Sequence, residues 1–459
     1  MSAQKPKSHE IDMLHGPLVS GILKFALPFA ASSILQQMFN AVDVAVVGRF
    51  ASSEALAAVG ANTFLINLFI NLFVGISVGA NVVISNHIGQ NDDNRTRKAV
   101  HTTMILAVLS GFTMLVTGLL IAAPVLVLMG TPANVLSDSV LYLRIYMCGT
   151  PFFMIYNFGA AVLRSKGDTK RPLYILIVAG LINTVLNLLF VIVFHMSVDG
   201  VAIATDISNA FSAFAILVLL KKEPEPFKLH FSLSAPDKAE ISRILKIGLP
   251  AGLQSMVFSF SNVCVQTAIN GYGSAAVAGA AISVNFDSFC YFFITAFCGA
   301  AITFTGQNFG AGNVMRCRRI FKICMIGGAL TCFLGNMIFY TQRDFFLGLF
   351  TTDPQVIYYA VIRMTWVLVF QSMAVSYEIS AAAMRGMNYS LEPALLTILG
   401  TCVLRLVWVF FVGPIWPGFD RLMYCYPISW VLTGTMVMTC YIIVSRKAYR
   451  RIASQQALS

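Results

Sequence analysis

Asp43 is the side chain whose position most demands an explanation. It lies in SGILKFALPFAASSILQQMFNAVDVAVVGR (residues 20–49), a run apolar and long enough to cross a bilayer, behind the amides Gln36, Gln37 and Asn40 and ahead of Gly48-Arg49. A carboxylate at that depth costs roughly 2.5–3.5 kcal/mol on insertion scales. Such a group either faces a bundle interior or cavity, where it can carry a proton or a cation, or it stands close enough to a helix end to reach interfacial water. Asp206, beside Thr205 in a later apolar run, poses the same choice. The second half of the chain buries Asp287, Glu378 and Arg405 in apolar runs. By depth Arg405 can reach either acid, which gives a structural ion pair; otherwise Glu378 is a cation or substrate contact.

Other chemistry is set aside by what surrounds the candidate residues. The ten cysteines fall mostly inside apolar runs, none pairs as CxxC, and the six histidines are scattered singly, so no metal site is expected. No GxxxxGK[ST] loop is present. The chain is therefore expected to be no enzyme and to need no cofactor beyond a coupling ion drawn from a gradient, H⁺ or Na⁺.

The elements that carry these residues follow from composition. Of 459 residues 57% are hydrophobic and 11% charged, with a mean hydropathy of +0.76, against roughly 25% charged in a soluble domain. The net charge of +11 sits in short loops between apolar runs, so nucleic acid is not the expected partner; the lipid bilayer is. Residues 1–16 are polar and include Lys5 and Lys7, so a cleaved signal peptide is not expected. Helices are predicted near 20–46, 55–86, 97–122, 137–163, 172–195 and 199–221, then near 243–269, 276–307, 318–340, 357–384, 393–413 and 421–445. The organisation is a segment 1–19, a six-helix lobe 20–221, a Pro-rich polar linker 222–242, a second lobe 243–445 and a basic tail 446–459. Basic residues crowd the loops 87–98, 164–171 and 308–319, the linker and the tail, whereas 123–136 and 270–275 have none. Both termini are thus placed on the cytoplasmic side.

The halves are copies. ILKFALPFA (22–30) recurs as ILKIGLPAG (244–252), and Pro28 is matched by Pro250. Farther on, SNHIGQNDDNRTRK (85–98) lies over GQNFGAGNVMRCRR (306–319), Arg164 over Arg385 and Pro172 over Pro393. Six helices per copy make the repeats parallel, an arrangement in which transporters place substrate between the halves. Pro28 predicts a bend in helix 1 that would move Asp43, although Pro250 makes a shared packing feature the alternative. Arg164 and Arg385, at equivalent ends of helices 4 and 10, are expected to bond helix-end carbonyls and complement the helix dipole.

With Pro28, the Asp43-x-x-x-x-Gly48-Arg49 spacing and LRSKGDTKRP (163–172), loosely repeated as MRGMNYSLEP (384–393), the sequence resembles the multidrug and toxic compound extrusion (MATE) family, closest to its DinF-like bacterial branch. That resemblance implies an all-α polytopic membrane protein, twelve helices in two pseudo-symmetric lobes forming a V-shaped central cavity. It implies an antiporter exporting small organic, often cationic compounds against H⁺ or Na⁺, in the bacterial inner membrane and as a monomer. It also implies a network of Asp43, Asn183, residue 187 and Thr205. The branch more often has an acid where this chain has Asn187, and Asp206 could replace it or face outward. Depth counting agrees with the grouping: Asn187 lies about 22 Å up helix 5, and Thr205 and Asp206 about 10 Å down helix 6 from the outside. Gln36, Asn40, Asn157 and Glu378 are the expected substrate-cavity residues. A lipid-linked precursor flippase of the same wider superfamily is the alternative function, and a channel or receptor a third. The proton is the favoured ion, with Na⁺ credible if Asp206 turns inward.

Overall fold

The computed structural model describes residues 10–230 and 235–456, so Lys5 and Lys7 of the N-terminal segment, the middle of the linker and the last three residues lie outside the described part. Among the described residues, 12 helices are long and apolar enough to cross a membrane. The first six are α1 (Leu18–Phe50), α2 (Ser53–Gly89), α3 (Asp93–Leu128), α4 (Ala133–Ser165), α5 (Lys170–Val193) and α6 (Val198–Lys221). The second six are α7 (Lys238–Asn270), α8 (Ser274–Gly310), α9 (Val314–Thr341), α10 (Pro354–Gly386), α11 (Leu391–Ile415) and α12 (Phe419–Gln455). The chain is an all-helical polytopic membrane protein, as the sequence led us to expect. Two ends differ from that expectation. Arg446, Lys447, Arg450 and Arg451 continue α12 as helix instead of forming a tail, and α7 begins inside the anticipated linker.

The helix boundaries repeat together with the sequence. Asp92 caps α3 by accepting from Arg95 N at 2.9 Å, and Asn313 caps α9 by accepting from Arg316 N at 3.3 Å. A side-chain oxygen at that place satisfies an amide the first helical turn leaves open. The turns ahead of these caps need a left-handed residue, supplied by Asn91 (φ 56°) in one half and Gly312 (φ 72°) in the other. The turns after α4 and α10 are closed in the same way by Gly167 (φ 96°) and Asn388 (φ 70°). Glycine and asparagine tolerate that region best, which is why these types alternate at matched positions. In the second half the helices are less regular: α10 carries a π-helical turn at Met364–Leu368 and a 3₁₀ turn at Gln371–Ala374, and α11 carries π turns at Ile398–Val403 and Trp408–Val412.

Packing divides the chain into two compact units that are not simply its two halves. One comprises Met1–Ile11 and Ala31–Gly252, the other Asp12–Ala30 and Leu253–Ser459. The division falls two residues after Pro28 in α1 and two after Pro250 in α7, so each unit takes the opening turns of the other half's first helix. Within the first unit those turns of α7 meet α2 backbone to backbone. A Cβ on Gly75 would lie 2.2 Å from Gly252 Cα, and one on Gly79 would lie 2.3 Å from the Ile244 carbonyl. Glycine is required there because helices in a membrane associate by close packing of small residues. In the second unit the opening turns of α1 sit on α8, where Phe25 meets Phe304 edge-on at 5.8 Å and Ala26 and Ala30 cluster with Ala296.

The loop after α4 is pinned by charge. Lys166 Nζ donates to Glu10 at 2.7 Å and to Glu223 at 2.6 Å, while Arg171 bonds Asp168 and Glu223. Glu223 and Asp168 are almost fully buried. Burial alone would push the Glu223 carboxyl up, but the hydrogen bonds and charges of Lys166 and Arg171 outweigh it and hold the group below the usual carboxylate range. The SKGD segment of the loop motif is thus a turn whose lysine and aspartate tie α4 and α5 to the start of the chain and of the linker.

Candidate functional site

In the first unit α1, α5 and α6 bring four polar side chains into one buried cluster. Asn187 Nδ2 donates to Asp43 Oδ1 and, at 3.3 Å, to Asn183 Oδ1. Asn183 Nδ2 donates to Thr205 Oγ1 at 3.3 Å, and the Thr205 hydroxyl lies 3.2 Å from Asp43 Oδ2 and 3.0 Å from the Val201 carbonyl. One hydroxyl proton serves only one of those two acceptors at a time. Asp43 is 6% exposed, Asn183 3% and Asn187 not at all. Spacing produces this: Asn183 and Asn187 are four apart on one helix face, and Asp43 is presented to them by α1.

Asp43 therefore sits among neutral donors. Neither of its oxygens meets a basic side chain among the described residues, so its charge, when present, is offset only by dipoles. Asn187 Oδ1 is buried and without a hydrogen-bond partner. An amide that shows its NH₂ to a carboxylate can turn to show its oxygen to a protonated carboxyl or to a cation, so the cluster has a way to answer either. The arrangement can hold a proton on Asp43. It can also offer oxygens from Asp43, Asn183, Asn187 and Thr205 to a small hard cation.

Asp206 is not part of this network. It is half-buried and points at α4, where a Cβ on Gly149 would lie 1.9 Å from its Oδ1, an oxygen that is buried with no hydrogen-bond partner. Successive residues on a helix diverge by 100°, so Thr205 and Asp206 face different neighbours. Two glycines shape the surroundings and were not singled out by sequence reasoning: Gly149, which makes room for Asp206, and Gly180 on α5, which makes room for the Phe39 ring on α1. A glycine inside an apolar helix is the signal that could have marked them.

The expected substrate-contact residues are not joined by hydrogen bonds to one another among the described residues. Asn40 is exposed, Gln36 half-buried, and Asn157 is buried with its amide donating to Phe153 O at 2.9 Å. Glu378 belongs to the second unit, where it accepts from the Tyr291 hydroxyl at 2.9 Å.

The ion pair of the second half is not the expected one. Arg405 bonds neither Asp287 nor Glu378. Asp287 is held in a two-pronged pair by Arg363, with Nη1 to Oδ1 at 3.1 Å and Nη2 to Oδ2 at 3.0 Å, and Arg363 also donates to Ser283. Depth along a helix gives the height of a side chain, not the direction in which it points, and Arg363 competes at the same height. Arg405 donates instead to Asn262 and Ser429. Arg385 also departs from expectation: its guanidinium donates to Gln254 Oε1 at 2.6 Å, a bond to α7 in place of a helix-end carbonyl.

A family model described as MatE matches residues 28–189 and 250–411, one match in each half. The chain is 28% identical over 388 residues to the probable multidrug resistance protein YoeA of Bacillus subtilis, 82% of each chain being covered. It is 25% identical over 393 residues to the probable multidrug resistance protein NorM of Thermotoga maritima, covering 84% of this chain and 83% of that one. Among solved structures, the crystal structure of MATE in the straight conformation superposes with a TM-score of 0.87 at 20% identity, over 99% of this chain and 100% of that one.

Proposed function

The chain belongs to the MatE family, and from that premise we propose that it is a secondary antiporter exporting small organic, often cationic compounds against an inward flow of H⁺. What carries the reading is Asp43, a membrane-buried carboxylate whose two oxygens meet only neutral donors. A structural carboxylate in a membrane is paired with a cation, as Asp287 is with Arg363. One left without a fixed partner is stable only with a proton or a mobile cation, and exchange of that ion with each side is what couples a gradient to transport. One elementary charge moving down 100 mV supplies about 2.3 kcal/mol. The proton is preferred because the cluster offers one charge; Na⁺ wants several oxygens with net negative charge, which it gains only if Asp206 swings toward Asp43. Names of relatives such as YoeA and NorM, each a probable multidrug resistance protein, favour drug-like cargo.

The same reading puts both ends of the chain on the cytoplasmic side of a bacterial inner membrane, because the loop arginines and lysines lie on the side of the termini. It takes the protein as a working monomer. Gln36, Asn40 and Asn157 are its substrate contacts within the first unit and Glu378 a contact within the second, and Pro28 is the point at which α1 changes shape as Asp43 loads and unloads. Arg164 and Arg385 are structural.

Drug-induced ion release from reconstituted vesicles, with and without Na⁺, tests this for the native protein, Asp43→Asn and Asp206→Asn. Release of protons without Na⁺, lost in Asp43→Asn, is expected. Strict Na⁺ dependence abolished by Asp206→Asn would replace the proton with sodium. Full activity of Asp43→Asn would overturn the coupling role of α1, and movement of lipid-linked precursor without drug efflux would point to the flippase.

A further inference from the structure

Arg405 is a buried cation without an acid. It is 1% exposed, and its partners are neutral: Ser429 Oγ at 3.3 Å from Nε, Asn262 Oδ1 at 3.0 Å from Nη1, and the rings of Tyr426 and Phe258, whose centroids lie 4.4 and 5.3 Å from Cζ. Among the described residues no carboxylate lies within salt-bridge distance of it. The nearby acid, Asp287, is occupied by Arg363, and Arg363 Cζ lies 5.8 Å from the same Tyr426 ring. Two guanidinium groups thus share one ring, while the carboxylate of Asp287 is bonded by Arg363 and not by Arg405. Cation–π contacts and amide dipoles offset part of a buried charge but leave it unbalanced, and a charge within a membrane span is normally matched.

The repeat shows where this cation stands. The matched segments 28–189 and 250–411 are offset by 222, the offset that also relates Pro28 to Pro250. At that offset Asn183 corresponds to Arg405 and Asp43 to Val265. Earlier in the helix Pro172 and Pro393 are offset by 221; the π-helical turn at Ile398–Val403 accommodates the added residue before Arg405 is reached. The place that in the first half holds a carboxylate among amides and a hydroxyl holds, in the second, a guanidinium among an amide, a hydroxyl and the face of an aromatic ring. Its polarity is inverted.

We propose that Arg405, Asn262, Tyr426 and Ser429 form a binding site for a monovalent anion, either an inorganic halide or the carboxylate of an organic solute. Asn262 is the exposed member and covers the guanidinium. Turning its amide about the last bond withdraws Oδ1 from Arg405 and presents Nδ2–H, so the same residue that caps the empty site becomes a donor to the bound anion. The Ser429 hydroxyl, now bonded to the Tyr426 carbonyl at 2.8 Å, is a second donor on the same side. Binding here is a property of the second half alone and stands whether or not the chain exports cations.

The test uses the purified full-length protein, titrated with chloride and separately with propionate, each replacing gluconate at constant ionic strength. All four tryptophans lie in the second half, and Trp430 is 5.8 Å from the Tyr426 ring, so intrinsic emission reports on the site. A saturable change is expected in the native protein; response to chloride alone assigns an inorganic anion, and tighter response to propionate assigns an organic carboxylate. Arg405→Gln should raise the half-saturating concentration by at least about tenfold. Asn262→Asp, nearly isosteric, supplies a fixed carboxylate beside Arg405. It should abolish the response while raising the thermal midpoint, and it decides the matter if Arg405→Gln does not fold. No saturable response to either anion in the native protein, a response unchanged in folded Arg405→Gln, or one unchanged in Asn262→Asp would each overturn the proposal.

Discussion

Phe39 on α1 and Gly180 on α5 are fitted to one another: a Cβ on Gly180 would lie 1.6 Å from Phe39 Cζ. Asp43 follows Phe39 by one turn, and Asn183 and Asn187 follow Gly180 by one and two. This contact sets how closely α1 approaches α5, and so whether Asn187 reaches Asp43. A side chain at position 180 must push the ring aside or the helices apart, at a cost of typically about 1–3 kcal/mol. Gly180→Val is expected to lower transport per folded molecule, and Phe39→Leu with Gly180→Ala to recover part of it. Protein yield and drug-induced ion release, measured together, check this; normal transport by Gly180→Val would show that the spacing is not critical.

Asp287 and Arg363 form the structural counterpart to the unpaired Asp43. Breaking the pair leaves a buried charge and is expected to cost about 3–5 kcal/mol, so Arg363→Met should sharply reduce folded protein. Removing both charges, in Asp287→Leu with Arg363→Met, should restore most of it. Thermal midpoints of the single and double variants give the coupling. Additive losses would mean that the two side chains act separately.

Much of this was legible in the residues. The twelve spans follow from apolar length and the duplication from repeated loop arginines and prolines; Asp43 stood out because a carboxylate has no easy place in an apolar run. The partners were harder to read because depth counting fixes height and leaves rotation about the helix axis open. Arg363 took Asp287 from Arg405 for that reason, and Asp206 turned toward Gly149 while its neighbour Thr205 faced Asp43. The units could not be read from the linker either. Covalent connection places the boundary in the Pro-rich segment, whereas packing follows where Gly75 and Gly79 admit the backbone of α7 and where Phe25 meets Phe304.

The buried cluster at the loop after α4 gives a stability that depends on pH. Glu223 is held below the usual carboxylate range by Lys166 and Arg171 against the opposing effect of burial. A group depressed in the folded state binds fewer protons there than in the unfolded chain, so its contribution is complete above the ordinary glutamate value of 4.5 and is lost as pH falls through the lower, folded value. Glu223→Gln should lower the thermal midpoint at neutral pH and flatten its decline on acidification. Midpoints measured from pH 7 down to about pH 3 check both; parallel curves for the native protein and the variant would remove Glu223 from the acid response.

Asn187 decides how many charges the coupling cluster can hold. At present its Nδ2 donates to Asp43 and Asn183 while its Oδ1 is buried without a partner. Asn187→Asp would replace both donors with acceptors and set a second carboxylate against Asp43. Two carboxylates in contact do not both stay ionised unless a metal cation lies between them; otherwise one proton is held by the pair. Either the pair shares a proton, in which case activity persists without Na⁺ but with a changed pH dependence, or it takes up Na⁺ with the Asn183 and Thr205 oxygens. Doubling the charge of a compact oxygen site favours the second outcome, because Na⁺ is held by oxygens carrying net negative charge and a single carboxylate falls short. The expected result is therefore Na⁺-stimulated drug efflux in Asn187→Asp from a parent that needs none, read in vesicles with Na⁺ replaced by choline. Efflux equally independent of Na⁺ in both proteins, with the same pH profile, would mean that Asn187 does not set the choice of ion.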